Sequence, residues 1–279
     1  MKKWFLGFLG LIVGALFFHL TYLYLDSDFT MRDFQHASLL TQRECKGISQ
    51  KEVFQAISQP FFYCGRGQQM TAFESQDHQY VIKFFNPRKF VEKKWFSDVR
   101  RLRRLCSLKW ISTAYFKKAQ RINDLMDRYQ MGFDELKSET ALVYVHLNPA
   151  TTLNHKIHLT DRSGKEHVVS LESIPFVIQR KGVLALSCIN QLIQEGKMDE
   201  VRERISQLQA LFSSRIQKGF TDLLQTLHNN YVFIETRAVQ IDLGTLRKDP
   251  SLDPEKEMQR ILAGMVDRNP QLTSLLSNK

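Results

Sequence analysis

The sequence predicts a mixed α+β domain preceded by one apolar N-terminal helix. Segments rich in β-branched and aromatic residues, separated by turn residues, fill most of the first two-thirds of the chain, and helical periodicity dominates the last third. At 279 residues with 43% hydrophobic residues, the chain is long and apolar enough for one well-buried domain. We therefore expect a mainly antiparallel sheet of about five to seven strands, followed by helices.

The N-terminal segment, residues 1–26, is predicted to be a single membrane-spanning anchor. An almost unbroken apolar run extends from Trp4 to Leu25, and a bilayer-spanning helix needs roughly 20 such residues. No small-residue cleavage site of the signal-peptide kind follows the run, so we expect the anchor to stay attached. The few flanking charges leave the side of the membrane open.

Net charge and cysteine usage narrow the classes of partner. The net charge of +10 favours anionic partners, such as phosphorylated small molecules, acidic lipid headgroups or nucleic acid. The aromatic interleaving of an RNA-binding sheet is missing, so nucleic acid ranks last among these.

The four cysteines are Cys45, Cys64, Cys106 and Cys188. They form no C-x-x-C pair, which argues against a zinc site or a dense disulfide framework.

Turn residues divide the rest of the chain into predicted elements. Residues 27–59 are a polar tether that ends in a short helix over 51–58, with Ser49 as its N-cap. Strands are predicted at 61–63, 70–75, 79–85, 141–147, 156–160, 166–171, 175–179, 231–235 and 238–241. Helices are predicted within 87–132, with a break near 107–113, and over 185–217, 222–227 and 254–268.

Three short motifs, far apart in the sequence, carry the functional hypothesis. They are Gly65-Arg66-Gly67 between the first two predicted strands, Val81-Ile82-Lys83 in the third, and Asp242-Leu243-Gly244 after the last hairpin. Each motif alone is common in unrelated proteins, whereas the three together, in this order and context, are more specific. In these motifs the chain resembles the protein-kinase-like family, and the resemblance covers Pro60 to Leu246.

The resemblance implies a two-lobed fold that binds ATP and Mg²⁺ in the cleft between the lobes. An N-lobe over 60–182 would carry the glycine loop, helices and antiparallel sheet, and a reduced helical C-lobe would cover 183–279. The implied residue roles are phosphate positioning by Gly65, Gly67 and Lys83, magnesium binding by Asn229 and Asp242, and orientation of the acceptor by Asp222. Such a protein would transfer the γ-phosphoryl group to a hydroxyl acceptor.

Several positions depart from the family's pattern. Six residues separate Asp222 from Asn229, where the family has four. The glycine loop has no third glycine, and the bulky Gln68 and Gln69 would narrow the phosphate cradle. Only about 37 residues follow Asp242, without an A-P-E-like segment, so the subdomain that holds peptide substrates cannot be complete. An atypical minimal kinase, a pseudokinase and a membrane-tethered module that binds a protein partner all stay open.

The sequence also leaves structural alternatives open at each candidate position. They are an edge-strand lysine at Lys83, turn residues at Gly65, Gly67 and Asn229, a strand-terminating carboxylate at Asp242 and a helix N-terminal carboxylate at Asp222. The carboxylate that would pair with Lys83 is equally open, because Asp124, Asp127 and Glu135 on the predicted helix are all candidates.

Common hydrolase and metal templates have no support in the sequence. It contains no G-x-S-x-G or H-E-x-x-H motif. The histidines His146, His155, His158 and His167 fall around strands and a turn, without an acidic or cysteine partner at metal-ligand spacing. We therefore expect these four to be solvent-facing strand residues.

Overall fold

The computed structural model of the protein describes residues 2–26, 46–47, 49–67, 69–86, 109–148, 153–172, 174–223 and 226–273. Over these ranges the chain forms a mixed α+β fold with one large sheet, two small sheets and several helices. The predicted α+β class is therefore confirmed. Most of the predicted tether, and the part of the predicted helical region over 87–108, lie outside the described residues.

An N-terminal helix, α1, spans Lys2–Asp26 and coincides with the predicted anchor. Its apolar side chains Phe8, Leu11, Phe17 and Phe18 are exposed. Within the ranges given above, no helix meets the combined length and apolar character needed to cross a membrane.

The main sheet contains eight strands in the described part of the chain. They are β1 Lys46–Gly47, β2 Phe61–Arg66, β3 Met70–Ser75, β4 Tyr80–Phe85, β5 Leu142–His146, β6 Lys156–Thr160, β7 Glu166–Ser170 and β8 Phe176–Arg180. Their spatial order is β1-β5-β8-β4-β3-β2-β6-β7, and every neighbouring pair is antiparallel except β2 and β6. The sheet thus exceeds the predicted width, because the two-residue β1 adds an edge beside β5.

Strand β2 differs from the prediction at its glycines. Gly65 lies inside β2 and pairs with Ala72, after a register shift between Tyr63 and Gly65. Such a bulge lets one extra residue fit into a strand without ending its pairing. Gly67 alone stands in the connection, where its N–H donates a hydrogen bond to the Met70 carbonyl (2.8 Å). The predicted position of both glycines in the loop is therefore wrong for Gly65.

Two helices cover opposite faces of the main sheet. Helix α2, Gln50–Ile57, begins at Ser49, whose hydroxyl accepts a hydrogen bond from the Glu52 N–H (3.3 Å), which confirms the predicted N-cap. Helix α3 spans Lys109–Glu135, so it has no break over 109–113, the described part of the break predicted near 107–113. Because alternate strand residues point to opposite sides, Phe84 packs in the cluster with α2, and Phe85 packs in the cluster with α3.

The remaining elements form a second, largely helical part. They are α4 Lys137–Thr140, β9 Val183–Leu184, α5 Ala185–Gln194, α6 Met198–Gln217, β10 Phe220–Asp222, β11 Tyr231–Ile234, β12 Arg237–Gln240, β13 Leu246–Lys248, α7 Pro254–Arg268 and a 3₁₀ helix Pro270–Leu272. The small sheets have the orders β12-β11-β9 and β10-β13. Helices α5, α6 and α7 share one apolar cluster with β11 and β12.

Two helix predictions in this part need correction. The helix predicted over 185–217 is divided between α5 and α6 at Gly196, whose φ of +72° suits glycine. The helix predicted over 222–227 is wrong, because Asp222 belongs to β10 and pairs with Leu246 of β13. The predicted hairpin of β11 and β12 and the helix Pro254–Arg268 are confirmed.

The chain passes from the main sheet to the second part through Gly182. β8 ends at Arg180, and β9 pairs with β11 in the second part. A Cβ on Gly182 would lie 2.6 Å from the Phe233 carbonyl oxygen and 2.7 Å from Val232 Cγ2. The backbone therefore approaches β11 closely at a position where no larger residue fits.

Candidate functional site

Lys83 on β4 reaches the segment that follows β12. Its Nζ donates a hydrogen bond to the Ile241 carbonyl (2.6 Å), across a separation of 158 residues. Burial lowers the pKa of Lys83 to about 8, while the neighbouring Asp242 carboxylate and, to a lesser extent, Cys64 raise it. The structure thus brings together Lys83 and Asp242, two of the three charged groups of the predicted site.

Asp242 begins a tight turn after β12 and is exposed. One of its carboxylate oxygens, Oδ1, accepts a hydrogen bond from the Gly244 N–H (2.8 Å). The Gly244 carbonyl accepts a hydrogen bond from Arg128 Nη1 on α3 (2.5 Å). This contact is charge-assisted and joins α3 to the turn. Asp242 therefore follows β12 and accepts a hydrogen bond from a turn amide, as its structural alternative expects, and its carboxylate also lies near Lys83.

Helix α3 packs directly on this turn. A Cβ on Gly132 would lie 2.5 Å from Cδ1 of the fully buried Leu243. Tyr129, also buried, lies near enough to the turn that Asp242 adds to the effect of burial in raising the pKa of its phenol well above the usual range. Leu243 shares one apolar cluster with α3 and the main sheet. The turn is therefore held between the sheet, α3 and β12.

The loop between β2 and β3 approaches the same turn from the other side. A Cβ on Gly244 would lie 2.7 Å from Gln69 Oε1. The Gln69 carbonyl accepts a hydrogen bond from the Asn86 N–H (2.7 Å), which holds the loop against the end of β4. With its amide oxygen turned to Arg66, Asn86 also accepts from Nη2 and Nε (2.8 and 3.0 Å). The side chain of Gln69 therefore occupies the space beside Gly244, whereas Gln68 lies outside the described residues.

Asn229 lies in the turn that precedes β11, at the end of the hairpin where Asp242 follows β12. Tyr231 pairs with Gln240, and the Ile241 N–H donates to the Asn230 carbonyl (2.8 Å). The Asn230 N–H donates to the Thr226 carbonyl (3.1 Å), so Asn229 stands in a turn, as its structural alternative expects, and both Asn229 and Asp242 are exposed. A carboxylate and an amide oxygen at one hairpin end are ligands that Mg²⁺ prefers. In the described ranges, no group of three or more His, Cys, Asp or Glu side chains could hold a metal.

Asp222 is fully buried on β10. Its carboxylate accepts hydrogen bonds from Gln240 Nε2 and Thr245 Oγ1. Its carbonyl accepts a hydrogen bond from Arg260 Nη2 (2.7 Å). The alternative of a helix N-terminal carboxylate is therefore wrong. Gln240 Nε2 also donates to the Asp242 carbonyl (2.9 Å), so Asp222 and Asp242 share one hydrogen-bonding neighbour.

The three carboxylates considered as partners of Lys83 lie on α3. Asp124 accepts a hydrogen bond from Gln120 (2.8 Å), and Glu135 forms an ion pair with Lys248. Asp127 is exposed. The carboxylate that raises the pKa of Lys83 is instead Asp242. Sequence reasoning missed the contact made by Arg128, because no motif distinguishes it from other basic residues on α3.

The histidines have mixed environments. His146 is fully buried, with hydrogen bonds to the Tyr144 hydroxyl (3.2 Å) and the Glu172 carbonyl (3.3 Å), and burial lowers its pKa. His167 forms a hydrogen bond with Asp161 (2.7 Å). His158 is exposed on β6. The prediction of solvent-facing strand residues thus holds for His158 and is wrong for His146.

Comparison with known proteins gives likenesses to solved structures. No family model and no curated protein matches the sequence. The chain is similar to WbdD in a co-crystal with the kinase inhibitor LY294002 (TM-score 0.38, 11% identity, 75% of this chain and 38% of that chain). It is also similar to a structure of the bifunctional kinase-methyltransferase WbdD (TM-score 0.33, 12% identity, 83% and 39%).

A further similarity is to an Rv3197–erythromycin complex from Mycobacterium tuberculosis (TM-score 0.37, 16% identity, 77% of this chain and 56% of that chain). The chain therefore spans less than two thirds of the length of each of these proteins. All three TM-scores lie below 0.5.

Proposed function

We propose that the chain is an atypical kinase-like protein that binds Mg-ATP between the main sheet and the hairpin of β11 and β12. The observation that carries this proposal is the 2.6 Å hydrogen bond from Lys83 Nζ to the Ile241 carbonyl. This bond joins β4 of the main sheet to Ile241, the residue directly before Asp242. A cation for phosphates and an acid for magnesium thus lie on facing elements, as phosphoryl-transfer sites require.

Lys83 and the glycine loop form the phosphate-binding side of the proposed site. The lysine is half-buried, and its pKa of about 8 leaves it mainly protonated at neutral pH. Phosphate oxygens would favour the charged form further and would replace the Ile241 carbonyl as its acceptor. Gly65 lies in β2 and Gly67 in the connection that follows it. A Cβ on Gly65 would meet no atom within 4 Å, so the space over this strand is open.

Asp242 and Asn229 form the magnesium-binding side. Two oxygen ligands from the protein, completed by water and phosphate oxygens, are typical of Mg²⁺ in nucleotide sites. When bound, the ion would neutralise charge on the phosphates. The Gly244 N–H orients the Asp242 carboxylate for this role through the hydrogen bond to Oδ1 (2.8 Å).

Transfer to a hydroxyl acceptor is the finer part of the proposal, with Asp222 as the residue that orients the acceptor. Asp222 would have to exchange its hydrogen bonds with Gln240 and Thr245 to do so. This observation supports a second candidate function, a catalytically inactive pseudokinase or a membrane-tethered module that binds a protein partner. The two candidates share the nucleotide site and differ in phosphoryl transfer.

The proposed lobes correspond to residues 60–182 and 183–279, joined at Gly182. Its close approach to Phe233 and Val232 supports a boundary at this residue. We also propose that residues 1–26 attach the protein to a membrane, on the support of the apolar run and the exposed side chains of α1. Nucleic acid is not among the proposed partners.

Nucleotide-dependent thermal stabilisation tests the proposal. A ligand that binds the folded state raises the midpoint of unfolding, so millimolar Mg-ATP should raise the Tm of the full chain. Lys83→Ala and Asp242→Ala should abolish the shift, whereas Lys156→Ala, at an exposed position on β6, should keep it. An unchanged Tm of the wild-type chain would refute the nucleotide site. Transfer of the labelled γ-phosphoryl group from ATP to an acceptor would then distinguish an active kinase from a pseudokinase.

A further inference from the structure

A fully buried arginine lies behind the proposed magnesium side of the site. Arg215 on α6 has no exposed surface. Its Nη1 donates to Gln240 Oε1 (2.7 Å) and to the Tyr231 hydroxyl (3.2 Å). Its Nε and Nη2 have no hydrogen-bond partner among the described residues. A buried guanidinium is costly unless an anion compensates its charge nearby.

Two buried carboxylates accompany this guanidinium: Glu257, which interacts with it electrostatically, and Asp222 on β10, which is joined to it through Gln240. Gln240 lies between Arg215 and Asp222, with its amide oxygen on Arg215 and its Nε2 on Asp222. An amide oxygen can only accept a hydrogen bond, and the amide nitrogen can only donate. The cation on one side and the anion on the other therefore fix one orientation of the Gln240 side chain.

The same bridge, formed by Arg215, Gln240 and Asp222, holds both ends of the turn that carries Asp242. Gln240 Nε2 donates to the Asp242 carbonyl (2.9 Å) at the start of the turn. Thr245 Oγ1 donates to the Asp222 carboxylate at its end. The backbone from Asp242 to Thr245 is thus held at two points by this buried bridge of Arg215, Gln240 and Asp222.

We propose that Gln240 is a positioning residue for Asp242, so that it sets the magnesium dependence of nucleotide binding. This inference rests on the proposed function. Gln240 is 1% exposed and would touch neither the ion nor the nucleotide. It acts by orienting the Asp242 main chain, and through it the carboxylate, as residues behind metal ligands do.

The test compares two buried glutamines in the full chain. Gln240→Met keeps the size of the side chain and removes its hydrogen bonds to Arg215, Asp222 and Asp242. Gln179→Met is the matched control, because Gln179 is also 1% exposed and donates to the Thr140 carbonyl (2.9 Å). For each protein the Kd of ATP is measured with Mg²⁺ and with EDTA, and the ratio of the two values is compared.

We expect Gln240→Met to reduce the Mg²⁺-dependent gain in affinity about tenfold, within the range known for residues that support metal ligands. Gln179→Met should leave that gain within about twofold of wild type, whatever its effect on stability. A folded Gln240→Met protein with the wild-type ratio overturns the inference, and so does an equal loss in both variants.

Thr245→Val gives a second measurement at a half-buried position, where loss of folding is a smaller risk. This variant removes the hydrogen bond from Thr245 Oγ1 to the Asp222 carboxylate. It should also reduce the Mg²⁺-dependent gain in ATP affinity, by a smaller factor than Gln240→Met. An unchanged ratio in this variant also overturns the inference. Failure of the wild-type chain to bind ATP at all would instead remove the proposed function itself, and the inference with it.

Discussion

Gly132 on α3 packs so closely on Leu243 that a Cβ at the glycine would lie 2.5 Å from Leu243 Cδ1. Leu243 is fully buried and stands between Asp242 and Gly244. Real Cβ atoms do not approach another atom at this distance, so a larger residue at position 132 must displace the buried Leu243 side chain, α3 or the turn. This contact makes the position of Asp242 dependent on the packing of a helix more than 100 residues away in sequence.

Gly132→Ala should therefore destabilise the protein, although alanine favours a helix. We expect the free energy of unfolding to fall by about 1–3 kcal/mol through overpacking, measured by chemical denaturation. Gly264→Ala is the matched control, because Gly264 lies inside α7 and a Cβ there would meet no atom within 4 Å. That variant should be neutral or more stable by about 0.5–1 kcal/mol. Equal effects in both variants would contradict the packing argument.

The Gln69 side chain fills the space that a side chain at position 244 would need, beside the proposed nucleotide site. In Gly244→Ala the new methyl group would meet Gln69 Oε1 at 2.7 Å and Asp242 Oδ1 at 3.1 Å. We expect Gly244→Ala to weaken Mg-ATP binding, with Kd measured by calorimetry. Gln69→Ala should leave binding equal or tighter, and the double variant should recover part of the loss because the side-chain clash is gone. A double variant as weak as Gly244→Ala would exclude the clash with Gln69 as the cause.

The affinity for ATP should depend on pH through Lys83. Burial lowers the pKa of this lysine to about 8, and phosphate binds the charged form, so the affinity should fall as pH rises through about 8. Lys83→Arg should give a flat profile over the same range, because a guanidinium stays protonated. An identical decline in both proteins would show that another group is responsible.

The same shift has a consequence for stability, with the opposite sign. The folded-state pKa of about 8 lies below the ordinary value of 10.5, so the unfolded state binds more protons between these two values. The free energy of unfolding should therefore rise with pH in this window through the contribution of Lys83. Lys83→Met should lack that rise in denaturation curves recorded from pH 7.5 to 10, since methionine does not titrate there.

Asp222→Asn should destabilise the fold and distinguish a structural from a catalytic aspartate. The new amide can accept only one of the two hydrogen bonds that the carboxylate accepts from Gln240 and Thr245, and it removes a buried negative charge from the bridge to Arg215, so we expect a loss of about 1–3 kcal/mol. Asp199→Asn, at an exposed position on α6, should cost little. If Asp222 also orients an acceptor, phosphoryl transfer should disappear in a variant that still binds Mg-ATP. Unchanged transfer would limit Asp222 to a structural role.

Attachment to a membrane through residues 1–26 predicts a defined fractionation behaviour. The full chain should remain with membranes after an alkaline wash and be released by detergent, because burial of the apolar run is not weakened by high pH. Leu16→Arg, in the middle of α1, should reduce the membrane-bound fraction. Release of the wild-type chain by the alkaline wash would contradict attachment through this segment.

Local sequence patterns predicted the elements whose signals are local. The N-cap at Ser49, the hairpin of β11 and β12 and the helix Pro254–Arg268 follow from capping residues, alternation and periodicity within a few residues. The strand β10 was missed because its formation depends on β13, which lies more than 20 residues further along the chain.

The candidate site was predictable to a similar extent. The sequence indicated the approach of Lys83 to Asp242, since the family resemblance orders those motifs. It did not indicate that Arg128 contacts Gly244, or that Arg215 and Asp222 form a buried pair through Gln240. These contacts join residues of different elements, and their side chains are common on surfaces as well, so only the tertiary structure distinguishes them.

The acceptor of the Lys83 hydrogen bond is a main-chain carbonyl, which every amino acid carries. Replacement of Ile241 by another residue would leave that oxygen in place. Homologues could therefore vary freely at this position while the lysine keeps its contact, and correlated substitutions would not reveal the pair. In this protein, a search for covarying charged residues would miss this hydrogen bond between the main sheet and the segment after β12.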